Sequence, residues 1–294
     1  MKKGPIFTGL LLVVLAAVLA ACGDGGEDGS SSHVLYFSGI PDQNVSTLAR
    51  RYQKFADYME ERLGVEVKFK PSIDYSPVVT AFEGGDIQLG WFGGLTGVQA
   101  RIAVPDSVAI AQRPRDAEFH SKFIVRADLD VHSLEDLKGL TFTFGSESST
   151  SGHLMPRHFL FQAGVDPEDD LRGGPNYSGS HDKTWKLVES GAYQAGALNE
   201  AVWESAVSEG RVDLAKVRVL DTTPPYFDYN WTIRGDVEET FGEGFIARVR
   251  EALLSMGPEQ QELLDLFSTD GFIETNNDNY VAIRDIAEAL DIVR

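Results

Sequence analysis

One segment constrains this chain more than any other: an apolar strand that breaks on glycine and re-enters as a helix through small hydroxyl residues. It occupies residues 141–156 and reads TFTFGSESSTSGHLMP. Phe142 and Phe144 alternate as in a strand, Gly145 stops it, and Leu154, His158 and Phe161 recur at helical spacing. The first N–H groups of a helix have no internal partner, and the helix dipole leaves partial positive charge there. Ser148, Ser149, Thr150, Ser151 and Gly152 add donors without bulk, so such an element can seat a tetrahedral oxyanion. The plainer alternative is an N-cap with no ligand, which is what an isolated Ser–Thr cluster usually provides.

The N-terminus sets the compartment. Lys2 and Lys3 precede an uncharged apolar run, residues 6–21, that ends in Leu19-Ala20-Ala21-Cys22. A cationic start, a short apolar core and small residues before the cut describe a secretory signal peptide over 1–21, too short for a comfortable membrane span. Leu-Ala-Ala-Cys resembles the lipobox of bacterial lipoproteins, so Cys22, the only cysteine, is the expected lipidated N-terminus. Residues 22–32 have the Gly/Ser/Asp composition of a flexible tether. The expected product is a soluble body anchored to the outer face of the cytoplasmic membrane. Its formal charge of −19 becomes −21 without Lys2 and Lys3, and no basic stripe is present, which argues against nucleic acid as a partner.

The body alternates strand and helix patterns. Residues 34–37, 65–69, 87–91, 108–112, 195–198 and 217–220 read as strands. Leu48, Tyr52, Phe55, Met59 and Leu63 mark one helix face that stops at Gly64, and Ser76-Pro77 reads as a helix start. Ser133 and Asp136 fit a short capped helix, residues 182–190 a further one, and Gly93-Gly94 a turn. Such alternation predicts an α/β protein with largely parallel sheets.

Six stretches carry a wider resemblance: Ile40-Pro41-Asp42-Gln43-Asn44, Asp74-Tyr75, Trp91-Phe92-Gly93-Gly94, Ser149-Thr150-Ser151-Gly152, Gly179-Ser180-His181-Asp182-Lys183 and Asp228-Tyr229-Asn230-Trp231. In this order after a lipobox, they are similar to the phosphate/phosphite/phosphonate-binding proteins of bacterial ABC importers. Within that family the chain looks closest to a subgroup assigned to selenate uptake. The resemblance implies a periplasmic-binding-protein type II fold, two α/β lobes joined by two hinge crossovers with the ligand in the cleft. The crossovers would fall near residues 120–126 and 224–230. Lobe 1 would comprise 33–119 and 226–294, and lobe 2 residues 120–225. An ABC permease is the implied partner, a monomer the expected state, and no cofactor or metal is called for.

Carried over position by position, the resemblance implies that Ser149, Thr150 and Ser151 hold ligand oxygens. Tyr75 would donate its phenol from the other lobe, and His181 would reach in as a neutral donor or an imidazolium. Taken alone, a Tyr before a helix such as Tyr75 is more often packing than ligand, and His181 could equally cap its helix. Phe92 stands where family members often carry Tyr, so a hydroxyl donor is lost at that ligand position. Asp228 matches a position where some members place a carboxylate near the ligand. A carboxylate only accepts, so if Asp228 faces the cleft the ligand must keep a proton, as phosphite, phosphonate or selenite can and selenate or sulfate cannot. Glu200 and Glu204 would suit an amine-bearing phosphonate or, more simply, a solvated helix face.

Enzyme classes find less support. There is no G-x-S-x-G, H-E-x-x-H or G-x-x-x-x-G-K-[ST] motif. His153 and His158 are five apart, on different helix faces, which disfavours a shared metal. A secreted hydrolase built on Ser149, His181 and Asp182 would need adjacent helix residues to face each other, which they do not.

Overall fold

The structure, a computed structural model, describes Met1 and residues 33–293. The expected signal peptide, Cys22 and the tether otherwise lie outside the described residues. The N-terminal apolar alternations form β1 (Val34–Gly39), β2 (Glu66–Phe69) and β3 (Leu89–Phe92), paired in parallel as β2-β1-β3, followed by β4 (Val108–Gln112). Between them run α1 (Val45–Leu63), α2 (Tyr75–Glu83) and α3 (Gly94–Ala103). The Asn44 side chain opens α1 by accepting from Thr47 N at 3.0 Å, and Gly64 closes it at φ 68°. α2 begins two residues before the predicted start, with Asp74 in place of Ser76 as its N-cap: Asp74 Oδ1 accepts from Tyr75 N at 2.7 Å. Pro77 still lies in the first turn, where its missing N–H costs no bond.

The chain then crosses to a second sheet and later returns. The two crossings are bridged side by side: Phe119 N donates to Tyr226 O (2.8 Å) and Tyr226 N to Phe119 O (3.0 Å). The first crossing precedes the predicted 120–126, since that segment is already strand β5 (Ser121–Arg126). With β6 (Phe142–Phe144), β7 (Asn176–Tyr177), β8 (Ala195–Asn199) and β9 (Val217–Thr222) it forms a sheet ordered β7-β6-β8-β5-β9. β10 (Asn230–Ile233) and β11 (Ile273–Glu274) complete the first sheet as β11-β4-β10-β3-β1-β2.

Both sheets are therefore mixed rather than largely parallel. The strands that follow each crossing, β5 and β10, run antiparallel to both neighbours. They arrive directly from the other sheet, without the helical return that makes successive strands parallel. Aromatic rings fill the first core: Phe55 stacks on Trp231 (4.3 Å, 10°) and Trp91 meets Phe267 edge-on (5.5 Å, 82°). The second sheet is covered on both faces, Phe123, Phe142 and Phe144 packing on one and Ile124, Trp185 and Val217 on the other. The loops leaving β1, β3, β6 and β8 all feed one interlobe region, the usual location of ligands in open α/β sheets.

Candidate functional site

The hydroxyl-rich segment makes a π turn, not the α turn its spacing predicts. Thr150–Leu154 is π-helical, with Leu154 N donating to Ser149 O at 2.9 Å, and α4 (Met155–Gln162) continues from it. Pro156 explains the register. It has no N–H for Gly152 O, which accepts instead from Gly145 N at 2.7 Å. Ser149 Oγ caps the turn by accepting from Gly152 N at 2.9 Å. Only glycine fits at 152, because a Cβ there would lie 2.9 Å from Ser149 Oγ and 3.0 Å from both Gly145 Cα and His181 Cε1.

A second helix start faces this one from the other lobe. Gly93-Gly94, predicted as a turn, opens α3. Gly94 N donates to Asp228 Oδ1 at 2.9 Å, and Leu95 N donates across the cleft to Thr150 Oγ1 at 2.9 Å. A Cβ on Gly93 would stand 3.1 Å from Thr150 Oγ1 and 3.2 Å from Asp228 Oδ1, so glycine admits both. Thr150 Oγ1 accepts from Leu95, which leaves its own hydrogen to donate.

Tyr75, at the start of α2, and His181, at the start of α5 (His181–Glu189), meet over the seat with Oη and Nε2 3.4 Å apart. Asn199 N donates to His181 Nδ1 at 3.3 Å. An N–H can be met only by an unprotonated ring nitrogen, so the proton sits on Nε2, which faces the seat as a donor. Burial pushes the His181 pKa down to about 4, against the opposing pull of Asp42 and Asp182. The ring is thus neutral in this arrangement. Burial, then Asp42 and Asp228, hold the Tyr75 phenol well above its ordinary range, so it too keeps its proton.

Asp228 brings a carboxyl to the seat. It is 1% exposed, Oδ1 takes the Gly94 N–H, and Oδ2 has no hydrogen-bond partner. Burial raises its pKa to about 7; the Gly94 N–H opposes this, Asp116 adds to it, and the hydroxyls of Thr150 and Ser151 oppose it. Asp228 N donates to Asp116 O at 3.0 Å, and Asp116 is itself held by Arg113 in a buried pair at 2.6 Å.

Six predicted residues therefore converge: Tyr75, Ser149, Thr150, Ser151, His181 and Asp228, none more than 2% exposed. The seat they line is closed to solvent. Phe92 is the exception. Its ring packs edge-on against Phe82 (5.4 Å, 89°) and over Gly90, so it belongs to the lobe core. Glu200 pairs with Lys122 at 2.7 Å and Glu204 with Arg115 at 2.8 Å, so neither is free for a ligand amine. His153 bonds Glu147 O at 2.6 Å and His158 bonds Gln162, and among the described residues no acidic, His or Cys cluster suits a metal. Asp42, Tyr229 and Asn199 border the seat without having been assigned a role; Asp42 and Tyr229 stand in the quoted motifs and Asn199 just beyond a predicted strand, but their convergence depends on how the two lobes meet.

The match to known proteins follows the same contour. Residues 37–280 fit the family model for the periplasmic substrate-binding protein of ABC phosphonate transporters. The chain belongs to this family. It is 42% identical to the probable ABC transporter phosphite-binding protein PhnD1 of Prochlorococcus marinus strain MIT 9301, over 90% of this chain and 92% of that one. The structure of that protein in complex with methylphosphonate superposes with a TM-score of 0.86, covering 88% of this chain and 99% of the other. A phosphate-import protein PhnD of Mycolicibacterium smegmatis is 25% identical over 81% of this chain and 86% of its own. The fold is accordingly that of type II periplasmic binding proteins. The phosphonate-binding chain is the extracytoplasmic substrate-binding component of an ABC transporter, in a family of binding proteins rather than enzymes.

Proposed function

We propose that this protein captures a singly protonated phosphonate-class oxyanion, phosphite or methylphosphonate, and delivers it to its permease. The observation that carries this is the pairing of donors with the unpartnered Oδ2 of Asp228. The first-turn N–H groups at Thr150 and Ser151, the Ser149–Ser151 hydroxyls, Tyr75 Oη and His181 Nε2 can all give hydrogens. Asp228 Oδ2 asks for one. A tetrahedral anion that keeps one proton satisfies both sides. Residues 33–119 with 226–294 and residues 120–225 act as two lobes closing about the Phe119–Tyr226 bridge. Cys22 carries the lipid anchor, and one chain suffices. A hydrolase built on Ser149, His181 and Asp182 gains no support: His181 Nδ1 meets an N–H instead of an orienting carboxylate, and Ser149 Oγ is engaged by Gly152 N. The selenium alternative gains no support from the relatives, whose names refer to phosphite and phosphate.

Calorimetric titration of the mature domain tests this against phosphite, methylphosphonate, aminoethylphosphonate, phosphate, selenite, selenate and sulfate. Tight binding of phosphite or methylphosphonate with sulfate and selenate silent is expected. Tight selenate binding would place Asp228 outside the recognition chemistry.

His181→Gln supplies a second check. Gln can also donate, so affinity should fall only about tenfold, the worth of one imperfect hydrogen bond. Because His181 is neutral in the closed protein and a solvated imidazole is neutral above its usual 6.5, the variant's affinity profile between about pH 7 and 9 should parallel the wild type's. A changed slope in that range would mean that an imidazolium contributes.

A further inference from the structure

A hydrogen-bonded chain beside the seat joins the lobes without using any ligand donor. Tyr229 Oη donates to Asp42 Oδ2 at 3.0 Å and accepts from Asn199 Nδ2 at 2.9 Å. Asp42 and Tyr229 belong to the first lobe, where the Tyr229 ring stacks on Trp91 at 5.5 Å; Asn199 ends β8 in the second. His181 N also crosses to Asp42 O at 3.3 Å. All these residues are buried, and Arg51 Nη1 stands 3.8 Å from Asp42 Oδ1.

We infer that Asp42, Tyr229 and Asn199 form an interlobe latch that positions His181 and sets the closing equilibrium, and so tunes affinity without contacting the ligand through its polar atoms. The Tyr229 hydroxyl has one hydrogen to give, which goes to Asp42, and Asn199 takes up a lone pair, so its strongest polar capacity is spent between the lobes. Asn199 joins latch and seat, since its N–H fixes the His181 tautomer while its side chain holds Tyr229. These interlobe bonds are made only when the lobes meet, so they favour the binding-competent state, and observed affinity scales with that state's population. The inference rests on the two-lobe reading proposed above.

The test uses Tyr229→Phe, which keeps the ring, and Asn199→Ser, which keeps a side-chain oxygen to cap α6 (Glu200–Ser208) in place of the present Asn199 Oδ1···Val202 N bond at 2.9 Å. Both variants and the double variant are titrated with methylphosphonate and phosphite. Dissociation rates and the small-angle scattering radius of the ligand-free proteins are measured alongside. Each single change should weaken both ligands by about tenfold, chiefly through faster dissociation, and enlarge the ligand-free radius. The double variant should be no worse than the weaker single, because one chain is cut either way. Wild-type affinity in Tyr229→Phe, or losses that multiply in the double variant, would overturn the latch. If the wild type itself binds neither ligand, the functional proposal fails instead.

Discussion

Thr150→Val should reduce affinity for phosphite and methylphosphonate by about two to four orders of magnitude while leaving the ligand-free protein equally stable. Valine has nearly the same shape but neither accepts nor donates. In the closed protein Thr150 Oγ1 is the acceptor for Leu95 N at 2.9 Å, in a position 2% exposed. Removing it leaves a buried N–H unpaired, which costs about 1–3 kcal/mol, and the lost bond to an anionic ligand costs about 1.5–3 kcal/mol more. Both penalties fall on the closed, liganded state, since the open cleft lets water meet Leu95 N. Calorimetric titration and thermal unfolding without ligand separate these effects. Thr150→Ser should recover most of the affinity because the hydroxyl is restored. Unchanged affinity in the valine variant would remove Thr150 from both the seat and the closure contact.

The double role of Thr150 marks the limit of what the sequence could reveal. Its hydroxyl identity and its place at a helix start were legible, because a glycine stop followed by small polar residues and a helical period is a local pattern. Its bond to Leu95 joins residues 55 positions apart and exists only because two crossings fold one lobe against the other. The π turn was illegible for a related reason. It depends on Gly152 O finding Gly145 N once Pro156 has withdrawn its own donor, and periodicity alone reads the segment as α.

Composition likewise misled at Gly93-Gly94. Paired glycines signal a turn, yet here they permit close approach of Asp228 and Thr150 to a helix N-terminus. Phe92 shows the converse. A family position pointed to the ligand, but the strand directs this ring against Phe82 and Gly90, where an apolar side chain is the better fit. Asp42, Tyr229 and Asn199 lay in or beside recognisable stretches, and only tertiary contact gives them a common purpose.

Asp228 should make binding proton-dependent, and Asp228→Asn should remove that dependence together with the discrimination against fully ionised anions. Burial holds this carboxyl at about 7, above its unperturbed 3.8. The sign follows from linkage: the sealed form gains nothing from Asp228 ionisation until pH 7, whereas a solvated carboxylate ionises near 4. Closure is therefore most favourable below about pH 4, loses ground as pH rises, and has lost the whole contribution above about pH 7. A ligand carrying its own proton restores it by donating to Oδ2; phosphoryl-type anions lose that second proton at about pH 6. Above about pH 7 neither free partner holds the proton, so affinity should fall about tenfold per pH unit. Sulfate and selenate bring no proton, so above about pH 7 they would set an anionic oxygen against a carboxylate, a like-charge contact that costs several kcal/mol. Asparagine keeps an oxygen for Gly94 N and turns an N–H₂ donor toward the ligand. Titrations from about pH 6 to 9 should therefore show a flat profile for the variant and a sulfate affinity raised by roughly a hundredfold or more. A variant that keeps both the wild-type slope and its exclusion of sulfate would show that the proton is read elsewhere, with the His181 and Tyr75 donors the next residues to test.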